Sequence, residues 1–249
     1  MRSSLNKYLF LLLFITSYAA LGAQERDLPV YNNEFWFFGE AEPLFSLSED
    51  KLSSEKRAAG SSAGSSVGSS VGRNAAKEKI KEVLEEAVFV YSGMIYGFNF
   101  SYTPGDIRRG IDEIFEITPA AVIKAGDPAL SARKTRRDGA KTYIQIEYRC
   151  VDSQWNWISY WRSSTFPLAG GTAEGSALPG IEGRKEAVSA SVKETIRSFM
   201  RGRIHNKPRS ITGSFVFEEP PVITYMAGLY SASVKIRLEI RDIESYTVF

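Results

Sequence analysis

The chain has 249 residues, 43% hydrophobic and 24% charged, with one cysteine (Cys150) and one histidine (His205). That composition suits a globular protein and excludes a disulfide-stapled chain or a zinc site of several Cys and His ligands. An expected leader carrying Arg2 and Lys7 takes the 31 basic residues to parity with 29 acidic ones, so the mature chain has no net field drawing it to nucleic acid or anionic lipid.

Residues 1–22 have the charged, apolar, small-residue order of a secretory signal, with cleavage near Gly22. The apolar run 8–15 is shorter than the roughly 20 residues a membrane span needs. No cysteine lies near the cleavage region to accept a lipid. These features predict an exported, soluble protein of the periplasm or extracellular space that is not a lipoprotein, with no transmembrane segment in the mature chain.

Residues 23–45 form an acidic and aromatic segment peaking at Phe35, Trp36, Phe37 and Phe38. Residues 46–73 turn to Ser, Gly and Ala, with a tetrapeptide repeat from Gly60 to Val71, and predict a flexible linker. The repeat matches the G-x-S-x-G nucleophile pattern at Gly60 to Gly64. A nucleophile elbow needs a strand before the serine and a helix after it, so the match follows from linker composition.

The expected globular domain is 74–249. It opens with an amphipathic helix whose stripe is Ala76, Ile80, Val83, Leu84 and Ala87, with Asn74 as its cap. Alternation over Met94, Tyr96, Phe98, Phe100 and Tyr102 predicts a strand stopped by Pro104-Gly105. Residues 106–123 are ambiguous between a short helix at Ile107, Ile111 and Ile114 and an extended run around Pro119. Asp138-Gly139 joins the 129–137 stretch to the patterned run 141–150 as a hairpin, because that turn needs φ > 0. Cys150 shares strand parity with Ile144, Ile146 and Tyr148 and is expected in the core.

Asp152 then caps a helix carrying Trp155, Ile158 and Trp161, with a strand as the competing assignment. A Gly/Pro-rich loop covers 164–180. A second amphipathic helix runs from about Glu182 to Arg203 on Val188, Val192, Ile196, Phe199 and Met200. Strands at about 211–218, 222–227 and 229–243 close the chain. In the last, Tyr230, Ala232, Val234, Ile236 and Leu238 alternate with polar residues, which predicts one packed and one wet sheet face. The expected fold class is therefore α+β: mostly antiparallel sheet covered by two long amphipathic helices.

Three groups of residues are candidate sites. Glu113 and Glu116, three apart on a helix face if 106–116 is helical, are the catalytic candidates, since paired carboxylates are the one catalytic chemistry left open. Arg201, Arg203 and His205 cluster at the end of the second long helix and suit either its dipole or an anion. Phe35, Trp36 and Phe38 suit an aromatic binding platform or a packed core. No cofactor, metal or nucleic acid is expected. These features predict a non-enzymatic binding or assembly module of the cell envelope, its partner another envelope protein or a glycan. The alternative is a carboxylate-dependent hydrolase acting on envelope glycan.

Overall fold

The computed structural model describes residues 27–38, 68–124, 126–163, 165–175 and 178–246. The expected signal peptide, its cleavage near Gly22, and most of the expected linker lie outside the described residues. The elements in order are β1 (Val30–Phe38), α1 (Gly68–Ile95), β2 (Phe98–Thr103), a 3-10 turn at Ile107–Arg109, β3 (Ile114–Pro119), β4 (Leu130–Asp138) and β5 (Lys141–Arg149). After a 3-10 turn at Asp152–Gln154 come α2 (Trp155–Trp161), β6 (Leu168–Glu174), α3 (Gly180–Arg201), β7 (Ser210–Phe217), β8 (Val222–Met226) and β9 (Leu229–Glu244). The fold is α+β with antiparallel sheets, and its described helices number three: the two long ones of the fold-class reading and the short α2.

Two sheets pack around α1. The larger has the order β3-β2-β7-β9-β6, with β8 also paired to β9. The smaller has the order β1-β5-β4. The larger sheet packs Phe98, Phe100, Tyr102, Phe215, Phe217 and the buried side of β9 against Ala187, Val188, Val192, Ile196 and Met200 of α3. The smaller sheet packs Ile144, Ile146 and Tyr148 against Val83, Ala87, Val90 and Tyr91 of α1. Helix α1 is thus covered on two sides. Its other side approaches the larger sheet at Gly93, where an added Cβ would lie 2.5 Å from the rings of Phe98 and Phe217.

Several boundaries differ from the sequence reading for identifiable reasons. Helix α1 begins at Gly68, inside the segment assigned to the linker, so Asn74 lies within the helix rather than at its cap. It continues to Ile95 because Tyr91 and Ile95 recur at helical spacing, leaving Met94 and Tyr96 out of the strand. Gly97 ends it at φ +77°, its N–H reaching the Ser92 carbonyl at 3.2 Å. The 106–123 stretch is a 3-10 turn followed by a strand. The expected 164–180 loop contains β6, seven residues paired with β9. Gly170 and Gly171 hide this strand in the sequence, yet Gly171 lets α3 approach: a Cβ there would meet Thr195 Oγ1 at 2.5 Å.

Other expectations hold. Asp138 pairs with Lys141 across a tight turn with Gly139 at φ +56°, as the hairpin signal requires. Residues 155–161 are helical, with Ile158 and Trp161 buried. The alternation along β9 separates a buried from a wetter face. Cys150 is buried in the smaller-sheet core, and burial pushes its thiol up to about 11. At mildly alkaline pH its thiolate fraction is about a hundredfold below that of an ordinary thiol. We expect an aromatic disulfide reagent to label native protein at least that much more slowly than denatured protein. Equal rates would place Cys150 at the surface.

Candidate functional site

Among the described residues an apolar groove of about 630 Å³ opens beside α1. Leu84, Val88 and Phe89 form its helical wall, and Ile117, Pro119 and Val122 face them. Leu84 and Val88 are one turn apart, on a side of α1 that neither sheet fully covers. The backbone N–H of Ile123 donates to Ser92 Oγ at 3.0 Å, tying the connection after β3 to the helix and shaping the groove floor. Val122 is 54% exposed although it is apolar. Lys81, Glu85 and Lys185 supply charge at the margin. This volume lies in the range of small-molecule and peptide sites, which are concave and mostly apolar. The described lining holds no nucleophile with a general base beside it, so its chemistry is that of binding.

A second cavity, about 330 Å³, opens where the end of β2, the turn before β3 and the C-terminus of α3 meet. It gathers Glu113, Arg201 and His205, which the sequence had placed in two separate groups, with Tyr102, Arg197 and Lys207. Glu113 accepts from Tyr102 Oη at 2.7 Å and from Lys193 Nζ at 2.9 Å. Lys193, chiefly, holds its carboxyl below the usual carboxylate range. Burial first, and then Glu113, push the Tyr102 phenol up. Glu113 is therefore a fixed anion, the opposite of the raised carboxyl a general acid requires.

The remaining candidates are placed elsewhere. Glu116 is not on a helix with Glu113. It sits in β3 opposite Ser101, on the sheet face away from Phe115 and Ile117, which pack in the core. Glu113, just before β3, turns to Tyr102 and to Lys193 of α3, while Glu116 points from β3 to the other face of the sheet, so the two carboxyls do not form a pair. Arg203 folds back on its own helix, its Nη1 donating to the Phe199 carbonyl at 2.8 Å and its guanidinium covering the Phe199 ring. Phe35 and Phe38 are buried, and Trp36 is half-buried, so this aromatic group is packed in the fold and offers no open platform. Strand β1 pairs with β5 along all nine residues.

One protein-family model matches residues 20–246. The chain belongs to that family. A relative from Treponema pallidum (strain Nichols), described as an uncharacterized protein, is 26% identical over 165 residues, covering 66% of this chain and 69% of its own. No solved structure matches.

The family match takes in β1 together with the rest of the described fold, as the pairing of β1 with β5 leads one to expect. The sequence offered no direct sign of the apolar groove, because Leu84 reads as part of the same stripe as Val83 and Ala87. Among the described residues no three or more His, Cys, Asp or Glu side chains are grouped to hold a metal. Among them, too, no helix is long and apolar enough to cross a membrane.

Proposed function

We propose that this protein is an exported, non-enzymatic binding module of the cell envelope that receives an apolar surface in the groove beside α1. The groove itself carries the reading: about 630 Å³, walled by Leu84, Val88, Phe89, Ile117 and Val122. Large apolar side chains left open to water mark recognition surfaces, since covering each one is worth roughly 1.5–3 kcal/mol. An apolar wall suits apolar side chains better than sugar hydroxyls, so an envelope protein fits the groove better than a glycan does. Export rests on the order of residues 1–22 and tethering on the composition of 46–67. The alternative, a hydrolase using Glu113 and Glu116, draws no support from carboxyls that turn apart, Glu113 to Tyr102 and Lys193 and Glu116 to the other side of β3.

The neutral fluorophore N-phenyl-1-naphthylamine tests the groove. We expect saturable binding with one site per chain, weakened about tenfold by Val122→Asp. Because Val122 is exposed, that substitution should leave the melting temperature unchanged. Equal binding by the two proteins would remove the groove as the site.

A further inference from the structure

From the smaller cavity we infer a second binding site, independent of the apolar groove: the pocket at the C-terminal end of α3 binds a small ligand through its phosphate group. Lys193, Arg197 and Arg201 follow one another at four-residue spacing along α3, which puts them on one face of the helix. Lys193 is committed to Glu113 at 2.9 Å. Arg197 lies only loosely against Glu194, at 3.8 Å. Among the described residues Arg201 has no ion-pair partner. Lys207 reaches in from the following turn, its Nζ donating to the Gly105 carbonyl. Arg197, Arg201 and Lys207 therefore face a cavity whose described lining holds one acid, Glu113, already neutralised.

The bland account is that these cations offset the helix dipole. The magnitudes argue against it. A helix C-terminus carries the equivalent of about half a negative charge. Here two of its last four carbonyls are already served: Arg203 Nη1 donates to the Phe199 carbonyl, and the backbone N–H groups of Arg203 and Ile204 donate to that of Met200. Three further cations exceed what remains of that demand. The chain carries 31 basic against 29 acidic residues, so the cluster is not a sample of a generally basic surface.

The cation arrangement selects phosphate over carboxylate. A carboxylate is satisfied by one guanidinium in a two-point contact, whereas a phosphate dianion offers three acceptor oxygens to donors from several directions. Arg197 and Arg201 approach from the helix and Lys207 from the turn after it, with Asn206 as a neutral donor beside them. The cavity, about 330 Å³, accommodates the phosphate and a small appended group.

Calorimetric titration of the mature protein with inorganic phosphate tests this at low and at physiological ionic strength. We expect saturable one-site binding, weakened about tenfold or more by Arg201→Gln and tightened by Glu113→Gln. Arg136→Gln, on the distant β4 edge, should leave the affinity within a factor of two, and acetate should bind at least about tenfold more weakly than phosphate. An unchanged melting temperature for Arg201→Gln, whose side chain is exposed, separates lost binding from lost fold. Absence of saturation overturns the site. So does equal weakening by Arg136→Gln, which signals general screening, or equal binding of acetate, which removes the phosphate selectivity. Naphthylamine binding in the groove is unaffected by any of these results, so the two sites fail separately.

Discussion

Replacing Arg184 with Met is expected to destabilise the protein by about 3–5 kcal/mol in equilibrium denaturation, with Glu86→Gln falling in the same range. Arg184, near the start of α3, is 4% exposed, and Glu86 in the middle of α1 is 8% exposed. Their side chains meet at 2.6 Å, the buried link between the two long helices. Burial pushes the Glu86 carboxyl up, and the guanidinium of Arg184 draws it back. Removing either partner strands a charge in a place water does not reach, and that desolvation is the source of the cost. Arg184 also lies over the Trp36 ring at 4.1 Å, so its loss reaches β1 as well. The double variant Glu86→Leu with Arg184→Met should be distinctly more stable than the sum of the single effects, because neither charge is left alone. Single substitutions costing under about 1 kcal/mol would mean that water reaches the pair.

That pair also marks where the sequence stops being informative. Strand β9 was legible because one side of its sheet is packed and the other wet, so burial alternates with the side-chain period. The Asp138-Gly139 hairpin was legible because φ > 0 narrows the residues a turn accepts. Helix α1 was only half legible. A single stripe describes a helix packed on one side, but α1 lies between two sheets and α3, so Glu86 is buried on what reads as its polar side. Strand β6 was invisible because its middle is two glycines, of which Gly171 serves close approach to α3 and not apolar contact. The cavity residues were each visible and their meeting was not. Glu113 lines one cavity with Arg201 and His205 because β2 and α3 end at the same edge of the fold.

Deleting residues 24–38 should produce the largest loss of all, a melting transition lowered by many degrees or abolished, with new binding of an apolar dye. The aromatic strand is built into both cores. On one side Phe35 meets Tyr91 edge-to-face at 5.8 Å within the core under α1. On the other, Trp36 approaches Tyr230 at 6.4 Å and Phe38 approaches Tyr225 at 5.2 Å, which joins β1 to the β8–β9 hairpin. Consecutive aromatic residues therefore serve opposite faces of one strand, which is why no alternation is visible in that run. Trp36 is held between two cations, Lys141 at 4.0 Å and Arg184 at 4.1 Å, and such contacts contribute about 0.5–2 kcal/mol each. Phe35→Ala alone should cost about 3–5 kcal/mol, as truncation of a buried aromatic does. Thermal melting of the deletion variant decides between this account and one in which the aromatics serve only to capture a partner. An unchanged melting temperature, with loss of nothing but a bound partner, would mean that β1 leaves its place beside β5 in solution. The register from Val30 opposite Arg149 to Phe38 opposite Lys141, continued by the Cys150 N–H donating to the Pro29 carbonyl, argues for a strand the fold requires.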